Sequence, residues 1–208
     1  MNDNKDLKDT YNKIAKDWVN DHVGDNWWVE GTDAFLSFLL KGASILDIGC
    51  AGGYKAKYMT EKGFKVEGID FSEEMIREAK ERFSDLHFEV FDIYDLDKYN
   101  KKFDAIFIQA VLLHIPKKRI IEVLEKIKSK LNDGGLLHVA LKEVRDNGIE
   151  EEIRKENDYG YEYERFFSYY TLDELRKYFK EVGFEIVSEI IVNSGRSNWI
   201  NLVGKNYE

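Results

Sequence analysis

The chain has 208 residues, and its 40 acidic against 31 basic side chains give a formal net charge of −9. That balance disfavours a nucleic-acid partner, whose binding draws most of its affinity from Lys and Arg neutralising phosphates. A single cysteine excludes an internal disulfide framework, and the four histidines have no Cys or His neighbour at metal-ligand spacing, so no metal is implied. The length suits one domain over residues 1–208. A polar amino terminus and the lack of a bilayer-length apolar run predict a cytoplasmic protein with no membrane attachment.

In chain order, residues 1–40 read as amino-terminal cap helices, with Tyr11, Ile14, Ala15, Trp18 and His22 on one helical stripe. The sheet core is expected over 44–208, where strand-like and helix-like runs alternate as in repeated βαβ units. The strands read as Ser44–Ile48, Lys65–Ile69, His87–Phe91, Phe103–Gln109 and Leu136–Leu141. Ser72 is placed to cap a helix with Met75, Ile76, Ala79 and Phe83 inward. Ile120, Leu124, Ile127 and Leu131 share the next stripe, which Asn132-Asp133-Gly134-Gly135 ends. The acidic stretch from Arg145 to Gly160 reads as a surface insertion. Thr171 and Glu174 form a capping box for a helix that Gly183 closes. The last two strand-like runs, Phe184–Val192 and Asn198–Gly204, are joined by too few residues for a crossover helix and must form a hairpin, so one of them runs antiparallel to the rest.

The chemistry is concentrated where the first strand enters Asp47-Ile48-Gly49-Cys50-Ala51-Gly52-Gly53. A buried strand, a glycine turn and a helix start expose backbone N–H groups at the carboxyl edge of a parallel sheet. Asp70, 21 residues after Gly49, ends the second strand, where a carboxylate accepts hydrogen bonds from ribose hydroxyls. A nucleoside cofactor follows. The dinucleotide pattern G-x-G-x-x-G fails, because Ala51 and Tyr54 occupy its second and third glycine positions.

The loop instead resembles the D-x-G-x-G-x-G signature of class I S-adenosylmethionine (SAM)-dependent methyltransferases, with Ala51 in place of the middle glycine. The resemblance implies an α/β, three-layer, doubly wound fold whose mainly parallel seven-stranded sheet ends in an antiparallel hairpin. It implies SAM as cofactor and S-adenosylhomocysteine (SAH) as product. Cofactor contacts are then expected from Asp47, Gly49, Cys50, Ala51 and Gly53 in the loop, from Asp70 and Phe71 at the ribose, from Asp92 and Ile93 at the adenine, and from Gln109 beneath the sulfonium. Tyr11 would lie on a helix closing over the cofactor, and Asn132 to Leu137 resemble the family's turn into the fifth strand.

His114, after the fourth strand, is the candidate general base. His138 and Cys50 read as packing residues. Aromatics at Trp27, Trp28, Tyr161 to Phe167 and Trp199 would line an acceptor pocket or pack on a lid, and Arg165 and Arg196 would suit an acidic acceptor. The reading is methyl transfer to a small-molecule acceptor. Alternatives are transfer to tRNA or protein, a SAM-binding module without turnover and, more remotely, an NAD-dependent reductase using Tyr94 and Lys98.

Overall fold

The computed structural model describes residues 3–195 and 197–207. In chain order the elements are α1 (Asp3–Asp21), α2 (Val29–Leu36), β1 (Ser44–Ile48), α3 (Tyr54–Glu61), β2 (Lys65–Asp70), α4 (Glu73–Arg82), β3 (His87–Val90) and β4 (Phe103–Gln109). They continue as α5 (Ile120–Lys128), β5 (Leu131–Lys142), β6 (Glu151–Glu156), β7 (Tyr163–Ser168), α6 (Leu172–Glu181), β8 (Phe184–Ser194) and β9 (Ser197–Asn206). Seven strands form one sheet in the order β3-β2-β1-β4-β5-β9-β8. Neighbours pair in parallel except at β9, which is antiparallel to both β5 and β8.

The alternation of side chains along each strand builds two cores. Ile45, Ala105 and Phe107 face one side, where Phe35 of α2, Met59 of α3 and Ile76 of α4 pack on them. Leu46, Ile48, Ile106 and Ile108 face the other and meet Leu124 of α5 and Phe179 of α6. Helices on both faces give the three layers. Local signals operate as read: the Ser72 hydroxyl accepts from Met75 N at 3.1 Å, and Thr171 and Glu174 exchange both capping-box hydrogen bonds.

Two departures from the sequence reading go beyond shifts of one or two residues at strand ends. Leu131 belongs to β5, not to the preceding helix: it pairs with Phe103, and the ladder resumes at Ala105 opposite Leu136. The intervening residues bulge out of register, and a Cβ on Gly135 would lie 2.8 Å from the Asn132 carbonyl oxygen, so the turn packs too tightly for a side chain. The acidic stretch is also more than a surface insertion, since β6 pairs antiparallel with β7 in a separate two-stranded sheet. Its period-2 pattern is masked because Ile153, the one large apolar residue of β6, is 64% exposed.

Helix α1 straps this hairpin to the main sheet. On one side Asn12 Oδ1 accepts from the Ser72 hydroxyl at 2.7 Å, while Asn12 Nδ2 donates to Glu73 at 3.0 Å. On the other, Thr10 and Lys13 donate to the carbonyls of Glu164 and Glu162 at 3.1 and 2.8 Å, and the Tyr161 hydroxyl donates to Asp17 at 2.7 Å. Ile14, Ala15 and Val19 are buried beneath the helix. Among the described residues no helix is long and apolar enough to cross a membrane.

Candidate active site

The chain winds outward from β1 to β2 and β3 in one direction, then to β4 and β5 in the other, which opens a crevice outside the carboxyl ends of β1 and β4. A cavity of about 450 Å³ occupies it. The loops after β1, β2, β3 and β4 form its floor, and residues of α1 and of the β6–β7 hairpin form its roof.

The loop after β1 has the backbone that its composition predicts. Gly49 and Gly53 have φ of 73° and 80°, and Ala51 takes the left-handed region at 47°. A Cβ on Gly49 would fall 2.1 Å from Val111 Cγ2 in the loop after β4. The N–H groups of Gly49 and Cys50 both donate to the Ile69 carbonyl, at 2.7 and 3.0 Å, which ties the loop to β2.

Asp70 is fixed by two backbone donors, Ala51 N on Oδ2 at 3.1 Å and Ser72 N on Oδ1 at 2.9 Å. Each oxygen keeps a lone pair. Burial outweighs these hydrogen bonds and pushes the Asp70 carboxyl up to about 6. Asp92 Oδ1 caps the turn after β3 by accepting from Tyr94 N at 2.9 Å. Gln109 ends β4 with a buried Oε1 that has no partner among the described residues.

Of the residues singled out in the sequence, Tyr11, Gly49, Cys50, Ala51, Asp70, Phe71, Asp92, Ile93, Gln109 and His114 meet at this cavity. Asp47 and Gly53 do not reach its wall. Asp47 is buried, chiefly for that reason its carboxyl rises to about 7, and the nearby Lys55 ammonium opposes the rise. Cys50 is a buried free thiol whose pKa burial raises. Trp27, Trp28, Phe167 and Trp199 line the cavity, whereas Tyr161 and Tyr163 do not. His138 packs away from it, stacked on Phe107 at 4.6 Å with Nε2 3.2 Å from Asn201 Oδ1. Lys98 pairs with Asp95 and is absent from the wall. Arg196 lies outside the described residues.

A polar chain crosses the roof. Glu156 of β6 accepts two hydrogen bonds from Arg165 of β7, at 2.7 and 3.0 Å, and Arg165 Nη1 donates to the Tyr11 hydroxyl at 3.3 Å. That hydroxyl lies 2.7 Å from His114 Nε2, and His114 Nδ1 lies 2.6 Å from the Phe166 carbonyl oxygen. Burial, helped by Arg165 and Lys142, pulls His114 down to about 3.

Sequence reasoning missed Lys142, which closes β5 and stands on the cavity wall beside Phe167 and Trp199. Its signal was a charged residue ending the apolar run Leu136 to Leu141 at the carboxyl edge of the sheet. It also missed the stacking of Trp27 on Trp199, with ring centroids 4.3 Å apart.

Residues 22–189 match the methyltransferase domain family. The chain belongs to that family, and its fold is that of the class I SAM-dependent methyltransferases. It is 30% identical over 102 residues to the ubiquinone biosynthesis O-methyltransferase of Coxiella burnetii, covering 47% of this chain and 43% of that protein. It is 35% identical over 137 residues to the tRNA U34 carboxymethyltransferase of Nautilia profundicola, covering 59% and 45%. The matches thus span less than half the length of these two relatives. In three dimensions it superposes on the 1,6-didemethyltoxoflavin-N1-methyltransferase of Burkholderia thailandensis, a structure with bound 1,6-didemethyltoxoflavin and SAH, with a TM-score of 0.77. That superposition covers 97% of this chain and 88% of the other at 16% identity.

Proposed function

We propose that this protein transfers the methyl group of SAM to a small-molecule acceptor and releases SAH. The observation that carries the reading is one cavity with two sides, one holding the strand-end carboxylates and the other holding Lys142 beside aromatic rings. Asp70 and Asp92 stand at the ends of β2 and β3, Lys142, Phe167 and Trp199 stand on the β5 and β9 side, and Gln109 of β4 lies between them.

The carboxylate side suits the cofactor. Asp70 retains lone pairs for two ribose hydroxyls, and Asp92 with Ile93 presents an acceptor and an apolar surface to an adenine. The unpartnered Gln109 oxygen is an acceptor where positive charge is expected. Lys55, also on the wall, supplies a cation for a carboxylate. When bound, SAM supplies a methyl activated on a positively charged sulfonium. The chain's task is then alignment and exclusion of water. Tyr11 roofs the cavity, and His114 and Arg165 hold its hydroxyl from two sides. With its pKa near 3 and its Nε2 occupied, His114 positions Tyr11 and is a poor proton acceptor.

A small acceptor is favoured over tRNA by the roof that α1 and the hairpin place over the cavity, together with the net charge of −9. The test combines calorimetry with label transfer. SAH should bind and NAD(H) should not, and methyl-labelled SAM should label a fraction of small metabolites but not total tRNA. Failure of SAH to bind rejects the cofactor, and labelled tRNA rejects the acceptor class.

A further inference from the structure

We propose that the methyl acceptor is an anion built on a planar ring, with its acidic group received by the Lys142 ammonium between Phe167 and Trp199. The inference rests on the methyl-transfer reading of the cavity and names the class of molecule that fills the side opposite Asp70 and Asp92.

Lys142 Nζ lies 5.2 Å from the ring centroid of Phe167 and 5.4 Å from that of Trp199. Ring faces attract a cation, but they do not neutralise it. Among the described residues the Lys142 ammonium has no hydrogen-bond acceptor and no ion-pair partner. The charged groups that act most strongly on it are mostly of its own sign: Arg165 and Arg154 from the hairpin, and Arg145 just beyond β5. Glu156 is the acid that acts most strongly on it, and both Glu156 oxygens are engaged by Arg165; of the other acids on the cavity wall, Asp25 accepts from Trp27 Nε1 at 3.3 Å and Asp158 from the Tyr163 hydroxyl at 2.9 Å.

A desolvated ammonium among three guanidinium groups is costly unless an anion arrives. The cost is visible in its proton affinity: burial first, then the three arginines, lowers Lys142 to about 8. The surrounding surface specifies the rest of the ligand. Trp27 and Trp199 are stacked on each other, and with Tyr159 and Phe167 they give this side aromatic walls suited to a flat ring. Arg165, the evident candidate for an acidic acceptor, is committed to Glu156 and Tyr11, which among the described residues leaves Lys142 as the uncommitted cation beside Phe167 and Trp199.

The shared chemistry, a carboxylate or an acidic ring hydroxyl, is resolved by the probes. Benzoate, 4-hydroxybenzoate and indole-3-carboxylate are titrated into SAH-saturated protein beside their primary amides, and phenol beside 4-nitrophenol, which ionises near neutrality. The expected result is at least a tenfold preference for the acid over its amide, or for 4-nitrophenol over phenol, which disappears in Lys142→Met and persists in Lys142→Arg. Unaltered SAH affinity in both variants shows that they are folded. Equal affinity for ionised and neutral partners, no binding of any probe, or a preference that survives in Lys142→Met would overturn the proposal. If Lys142→Met does not fold, the comparison on the native protein decides. If native protein fails to bind SAH, the methyl-transfer reading falls, and the same comparison without SAH still decides whether Lys142 selects an anion.

Discussion

The Tyr11 hydroxyl donates to His114 Nε2 across 2.7 Å, and the far side of the ring fixes that direction. The Phe166 carbonyl can only accept, so at 2.6 Å it requires the proton on Nδ1, and in the neutral ring that burial favours Nε2 is left bare. Burial, which pulls His114 down to about 3, favours the neutral ring near pH 7. Nitrogen chemical shifts of His114 should report the Nδ1–H tautomer at neutral pH, and an imidazolium signature near pH 6 would contradict the arrangement. Because the folded value near 3 lies below the ordinary 6.5, the unfolded chain takes up this proton first. Stability contributed by His114 is therefore present above pH 6.5 and declines as the pH falls towards 3.

Asp70 responds with the opposite sign. Its carboxyl is raised to about 6, so the folded chain protonates before the unfolded one and this group's contribution to stability grows as the pH falls through 6. Ribose hydroxyls need the ionised form as acceptor, so SAH affinity should fall below pH 6, by up to about tenfold per unit. Asp70→Ala should weaken SAH by roughly ten- to a hundredfold, the size of hydrogen bonds to a charged acceptor. Calorimetry across pH 5 to 8 measures both effects, and a flat profile with unchanged affinity in Asp70→Ala would remove Asp70 from the site.

Gly49→Ala should destabilise the fold by about 2–5 kcal/mol, combining the cost of a side chain at φ 73° with overlap against Val111 Cγ2. Val111→Ala in the same chain should recover the overlap part and leave the backbone part. Thermal melts of the three variants separate the two, and full recovery in the double variant would show that conformation plays no part.

Helix α1 should gain hydrogen-exchange protection from Asp9 to Asp21 when SAH is added, since ligand-closing segments come from the low-stability end of a structure. Breaking its fastening with Asn12→Ala should raise exchange in the ligand-free state. Full protection of these amides without ligand would make α1 a fixed part of the core.

The parallel order of the sheet was legible because Ser44–Ile48 and Phe103–Gln109 are apolar runs ended by polar or glycine turns, and burial on both faces demands that composition. The carboxylates at the strand ends were legible for the same reason: Asp70 and Asp92 interrupt apolar segments where a strand meets its loop. The β6–β7 hairpin was not, because it roofs the cavity on one side and meets solvent on the other, where charge and aromatic content carry no fixed period. Lys142 was hidden by a different cause. Its significance comes from what faces it, and Phe167, Trp199 and Arg165 reach it from β7 and β9, distant in sequence.

The double fastening of α1, to Ser72 and Glu73 on one flank and to the hairpin on the other, would under the proposed function give cofactor and acceptor a common helix to organise. Whichever arrived first would bear the entropy of ordering it, and the second would then bind a prepared surface. Such cooperativity is reciprocal: if SAM tightens the acceptor by some factor, the acceptor tightens SAM by the same factor. Departure of the methylated product would likewise loosen the hold on SAH, so one swing of a single helix would serve both ends of the turnover cycle.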